Sequence, residues 1–83
     1  MHEVIISPNA ERDLKKLNPF IQERILKVLE RVKIRPEAHF ERMVGEKTYK
    51  LRIGDYRLIA DMDKNRLVIL VIKIGHRKNI YKK

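Results

Sequence analysis

Residues 49–58 read YKLRIGDYRL. With Gly54-Asp55 as a two-residue hairpin turn, Ile53 faces Tyr56, Arg52 faces Arg57, Leu51 faces Leu58 and Lys50 faces Ile59. Like charges directly opposite each other destabilise a sheet, so facing arginines call for a compensating partner. Keeping a sheet edge or face from aggregating explains single basic residues well and a facing pair of arginines poorly. A bound phosphate explains the pair, because guanidinium forks match its oxygens and share its charge. Lys50 lies one pleat away from Arg52 and adds a third base. Among these three, lysine is a candidate proton acceptor, whereas arginine stays protonated.

A second group of chemistry-bearing residues closes the chain. GHRKNIYKK, residues 75–83, supplies His76, Arg77, Lys78, Tyr81, Lys82 and Lys83. An aromatic side chain among bases is suited to stacking a nucleobase while its backbone is held; the plainer alternative is a solvated terminus. The strand ending at Gly75 is in position to deliver Arg77 to the same side of the sheet as the facing arginines. His76 is a candidate general base. If the strand extends back to it, Glu46 shares parity with Lys50 and would offer a carboxylate, although Gly45 beside it suggests a loop. His2 and His39 have no partner in a readable motif, and Tyr49 and Tyr56 fall on the apolar face as packing residues. No metal-ligand spacing, Walker loop or serine triad is present, so neither a metal nor a cofactor is expected.

Cleaving RNA through its own 2′-hydroxyl requires a proton acceptor, stabilisation of the crowded phosphorane and help for the leaving oxygen. The residues alone therefore permit a weak nuclease or a non-enzymatic basic RNA-binding module. Charge placement favours a polyanionic partner in either case. The net charge is +9, with eight Lys/Arg against seven Asp/Glu in residues 1–41 and twelve against four in residues 42–83. A cationic half of this kind attracts nucleic acid. A heat-adapted surface rich in both Lys and Glu fits less well, because Glu is scarce in the second half.

The elements that must position these residues are few. Eighty-three residues make one domain, residues 1–83, with a compact core. The absence of cysteine and of a signal-peptide pattern fits the cytoplasm. The longest apolar run, LVILVI at residues 67–72, is too short to span a bilayer and about the length of a buried strand. HEVIIS, residues 2–7, alternates as a short strand. Ser7-Pro8 and Asn18-Pro19 each supply an N-cap followed by proline at the first helical position. Ala10, Leu14 and Leu17 form one helical stripe; Ile21, Ile25, Val28 and Val32 form the next, with Leu29 beside it. Arg35-Pro36 ends the helical hairpin. Residues 36–46 read as a loop. YKLRI, YRLIADM and LVILVIKIG then form a three-stranded antiparallel meander, its second turn at Asp63–Arg66 pairing Met62 with Leu67. The fold class is α+β, with the helices packed on one sheet face. Parity puts Tyr49, Leu51, Ile53, Tyr56, Leu58 and Ala60 on that face. Lys50, Arg52, Arg57, Ile59 and Asp61 lie on the other, with Val68, Leu70 and Ile72 beside them.

The order strand, two helices, meander, together with YKLRIGDYRLIADM, LVILVIKIG and the ending HRKNIY, resembles the RelE/ParE toxin superfamily, and within it the RelE branch with its short archaeal members. The resemblance covers essentially the whole chain and is strongest over residues 49–81. It implies the toxin of a type II toxin–antitoxin pair, an mRNA endoribonuclease that cuts in the ribosomal A site by 2′-hydroxyl attack and leaves a 2′,3′-cyclic phosphate. The family's active positions fall here on Lys50, Arg52, Arg57, Arg77 and Tyr81. By that similarity Lys50 accepts the proton, Arg57 holds the phosphate, Arg77 stabilises the phosphorane or leaving oxygen, and Tyr81 stacks on the displaced base; the basic tail residues Lys78, Lys82 and Lys83 bind RNA. The chain departs from well-known bacterial relatives, which have lysine at both strand positions, in carrying Arg52. Some relatives use glutamate and histidine, which keeps Glu46 and His76 as reserve acid–base groups. The resemblance also implies a RelB-like antitoxin, and the ribosome and mRNA, as partners. The ParE branch, with the same fold directed at DNA gyrase, is the alternative; it generally lacks the full basic set found here.

Overall fold

The structure is a computed structural model that describes residues 1–42 and 48–76. The element order is β1 (Glu3–Ile6), α1 (Pro8–Lys15), α2 (Pro19–Val32), a 3-10 turn (Pro36–Ala38), β2 (Glu41–Arg42), β3 (Tyr49–Ile53), β4 (Tyr56–Asp63) and β5 (Val68–His76). Both helices start where the Ser-Pro and Asn-Pro pairs predict. Ser7 Oγ accepts from the Ala10 N–H at 3.1 Å and Asn18 Oδ1 from the Phe20 N–H at 2.8 Å, each satisfying an otherwise orphan amide. The buried stripes are Ala10 and Leu14 on α1 and Ile25, Leu29 and Val32 on α2. They join Leu51, Ile53, Leu58, Ala60, Ile69, Val71 and Ile74 from the sheet in one core.

The α+β class and the meander stand, and the sheet is larger than the meander. Its five strands run β1-β5-β4-β3-β2. The N-terminal strand pairs parallel to β5, with Ile5 opposite Leu70, and the helical hairpin carries the chain from β1 at one edge of the sheet to β2 at the other. The segment read as a loop contributes the 3-10 turn and the two residues of β2, which pair antiparallel with β3.

The first hairpin has the predicted register throughout, from Tyr49 opposite Ala60 to Ile53 opposite Tyr56. Gly54 has φ +60 and Asp55 is not among the positive-φ residues, the pattern of a II′ turn. A side chain at Gly54 would also meet Arg24, whose Nη1 lies 3.2 Å from the ideal Cβ position. The second hairpin corrects the expected pairing: Met62 lies opposite Ile69, not Leu67. Asp63 Oδ1 accepts from the N–H groups of Asn65 and Arg66 at 3.0 and 3.1 Å, and Leu67 takes a left-handed φ of 56. The turn therefore sits one residue later than the charge cluster suggested. The shift in partner is two residues, so Val68 and Leu70 keep their side of the sheet.

A bulge between Ile59 and Ala60 then changes the count, since Ala60 pairs with Val71 but Ile59 pairs with Lys73. This bulge leaves Ile72 without a cross-strand partner on β4 and puts Gly75 opposite Arg57. Helix α1 covers the edge of β5 that β1 is too short to reach. Ser7 Oγ donates to the Ile72 carbonyl at 3.2 Å, and Asp13 Oδ2 accepts from the Ile74 N–H at 3.1 Å. Removing that acceptor leaves a part-buried amide unpaired, so Asp13→Ala should cost about 1–3 kcal/mol. Thermal unfolding checks this; Asp13→Asn, which keeps a carbonyl acceptor, should recover most of the loss.

Candidate functional site

Consecutive residues of a strand point to opposite faces, so the residues that anchor β3 and β4 in the core alternate with those they present outward. Leu51, Ile53 and Leu58 are buried; between them Arg52 is exposed, and Lys50 and Arg57 are partly exposed. Arg52 and Arg57 are register partners, as are Lys50 and Ile59. The three basic residues line one depression of about 220 Å³ together with His39 and Glu41.

Pairing across the sheet explains this grouping. One row on this face runs Glu41, Lys50, Ile59, Lys73; the next contains Arg52, Arg57 and Gly75. Glu41 is thus the direct cross-strand neighbour of Lys50, with Cβ atoms about 4.5–5.5 Å apart in such pairs. His39, which closes the 3-10 turn, lines the depression beside Glu41, and Phe40 between them is buried in the core. Gly75 places no side chain beside Arg57.

The electrostatics of the depression are unbalanced. Ion pairs among the described residues join Lys15 to Glu11, Lys27 to Glu23, Lys33 to Glu30 and Arg66 to Asp63, leaving Lys50, Arg52 and Arg57 without one. Arg57 Nη1 is buried and has no hydrogen-bond partner among the described residues. A buried guanidinium nitrogen in that condition carries a desolvation cost. An anion in the depression would relieve it and would also separate the charges of Arg52 and Arg57.

The structure brings Lys50, Arg52 and Arg57 together and places His76 elsewhere. His76 is the register partner of Tyr56 on the helix side of the sheet, and the two rings meet edge to face at 5.5 Å and 78°. Glu46, Arg77, Lys78, Tyr81, Lys82 and Lys83 lie outside the described residues. Sequence reasoning missed His39 and Glu41 as members of the site, because His39 closes the 3-10 turn and Glu41 sits on a two-residue strand, neither of which has a period to read. No three or more His, Asp or Glu residues cluster to hold a metal ion among the described residues. Nor, among them, is any helix long and apolar enough to cross a membrane.

A helical hairpin on a five-stranded mixed sheet with a cationic depression on its open face defines the class. The family model for the ParE toxin of type II toxin–antitoxin systems, parDE, matches residues 4–81, and the chain belongs to that family, within the RelE/ParE toxin superfamily. Its likenesses lie on the RelE branch. Toxin RelG of Mycobacterium tuberculosis (strain ATCC 25618 / H37Rv) is 28% identical over 86 residues, spanning 99% of this chain and 98% of the relative. The RelBE2 toxin–antitoxin complex of M. tuberculosis contains a chain that superposes with a TM-score of 0.83 at 25% identity, over 92% of this chain and 98% of that one. The intact E. coli RelBE toxin–antitoxin complex gives a TM-score of 0.78 at 25% identity, over 92% and 96% of the two chains.

Proposed function

We propose that this toxin is a ribosome-dependent mRNA endoribonuclease, held inactive by a RelB-like antitoxin in the cytoplasm where its ribosomal target is found. The observation that carries the reading is Arg57, whose buried Nη1 has no partner among the described residues and which lines one depression with Lys50 and Arg52. A scissile phosphate seated there takes charge-assisted bonds from both arginines. Its negative charge offsets their mutual repulsion, and the same donors stabilise the extra charge of the phosphorane as the 2′-oxygen attacks. Lys50 stands where the family's proton-accepting strand position falls. Arg77 and Tyr81 take the family's remaining roles at the leaving oxygen and the displaced base. With so few acid–base groups, orienting the 2′-hydroxyl in line with the 5′-oxygen falls to the ribosome, which holds the codon in place.

The partner follows from charge and from the relatives. The M. tuberculosis and E. coli toxins of this fold crystallise with their antitoxins. For this chain, an acidic or amphipathic antitoxin segment covers the helices and the basic depression, so antitoxin and RNA compete.

Primer-extension mapping of a defined mRNA on programmed ribosomes tests the reading, with ribosome-free RNA alongside. The expected result is cutting confined to the A-site codon and lost in Arg57→Ala and Arg77→Ala. Intact message with the wild-type protein would overturn it. Inhibition of DNA supercoiling by gyrase would then identify the ParE-type activity, and RNA binding without cutting a non-enzymatic module.

A further inference from the structure

We infer that two copies of this chain pair open face to open face, each closing its basic depression against an acidic, apolar surface of the other. The inference goes beyond the nuclease reading and stands apart from it, because it concerns the resting protein. The open face has two unlike ends. One is the depression that holds Lys50, Arg52 and Arg57. The other is a second depression, of about 270 Å³, lined by Ile5, Asp61, Asp63, Arg66, Val68 and Leu70. Ile5 and Leu70 are register partners and both are exposed. Single exposed apolar side chains are ordinary, whereas adjoining ones rimmed by charge mark a contact surface. Asp61 is the register partner of Leu70 on its other side, and it has no ion pair among the described residues.

Charge selects the occupant. Carboxylates at the apolar end repel the phosphates of a nucleic acid, and an acidic protein segment suits only the basic end. A face that is basic at one end and acidic at the other complements itself, as a two-fold interface requires. A two-fold axis crossing β4 at Ala60 gives the register. Strand β4 then runs antiparallel over its copy, with the two sheets about 10 Å apart. Asp61 comes over Ile59 of the second copy, between Lys50 and Lys73, which are the cross-strand neighbours of Ile59. Asp63 comes over Arg57, beside Arg52. Leu70 rests on the stem of Lys73, and Val68 lies over Gly75, which presents no side chain. The face is small: strand spacing and rise give an area on the order of 500 Å² per copy. A total of about 1,000 Å² is at the lower end for a specific contact, so the dissociation constant is on the order of 10 µM. Dilution therefore yields the monomer, and self-association and anion binding at the depression exclude each other.

Sedimentation velocity of the chain alone, across the micromolar range at low and high salt, tests the pairing. The variants are Asp61→Lys, Lys73→Glu and the two combined; both positions are exposed, and circular dichroism checks that each variant folds. Wild type should show a monomer–dimer equilibrium that high salt weakens about tenfold or more. Each single variant should weaken it about 10–100-fold, because like charges then face each other. The double variant, with the charges exchanged, should return to within about threefold of wild type. Inorganic polyphosphate at constant ionic strength should shift wild type to monomer by filling the depression. Monomer at every concentration overturns the inference. A dimer unchanged by the single variants or by polyphosphate also overturns it, since its interface would lie elsewhere. A double variant as weak as the singles overturns the pairing across the two-fold axis. None of these outcomes bears on cleavage of the message.

Discussion

Replacing Arg57 with methionine is expected to abolish A-site cleavage and at the same time raise the melting temperature. The two effects have one cause. In the free protein, Arg57 faces Arg52 across the hairpin and buries a guanidinium nitrogen without a partner among the described residues. Like charges opposite each other cost about 0.2–1 kcal/mol, and an unsatisfied buried donor about 1–3 kcal/mol. Methionine keeps an unbranched apolar stem in place, so the packing along the sheet survives. A net gain of about 1 kcal/mol corresponds to about 4–8 °C in a domain of this size. Cleavage moves the other way: losing a preorganised donor to the developing phosphorane costs about 10²–10³-fold. Arg57→Lys separates charge from geometry. It retains a positive charge without the planar fork, so ribosome binding should survive better than the cleavage rate. Thermal unfolding and single-turnover cleavage on the same preparations check the pair. A variant that loses activity and stability together would show that Arg57 serves the fold, and the phosphate site would have to be sought elsewhere.

How far the sequence reaches can be judged residue by residue. The Gly54-Asp55 turn fixed the register of β3 and β4, because a two-residue turn leaves a hairpin little freedom and a one-residue slip would expose Leu51 and Leu58. That register alone brings Arg52 opposite Arg57. The second hairpin was less legible. Its turn sequence, Asp63-Lys64-Asn65-Arg66, contains no glycine to mark the left-handed position, and Leu67 occupies it. The bulge that sets Gly75 beside Arg57 answers to Ser7 and Asp13 on the far side of the chain. No local pattern announces contacts of that range. Glu41 was hidden for a related reason: strand β2 exists because β3 offers it an edge, not through propensity of its own. Thus the cationic half of the site follows from local turn chemistry, while its carboxylate depends on nonlocal pairing.

The second large effect concerns the residue next to Arg57. Leu58→Ala is expected to lower stability by about 2–5 kcal/mol, the range for deleting a buried leucine side chain and leaving part of its volume empty. Leu58 is fully buried and lies in the row Leu51, Leu58, Ile74, all three in the core. Domains of this length have total stabilities of about 0.05–0.15 kcal/mol per residue, so the loss is a large part of the whole. It corresponds to a fall in melting temperature of about 10–30 °C. Leu70 is the internal comparison. It sits on the same sheet, but on the open face and 37% exposed, so Leu70→Ala should stay within about 0.5 kcal/mol of wild type. Activity distinguishes this change from Arg57→Met. Leu58 touches the depression only through the strand it shares with Arg57, so Leu58→Ala assayed well below its melting temperature should still cut in the A site. Equal stability losses for Leu58→Ala and Leu70→Ala would mean that the helices do not cover the face assigned to them. In that case the open face, and the site on it, would be misassigned.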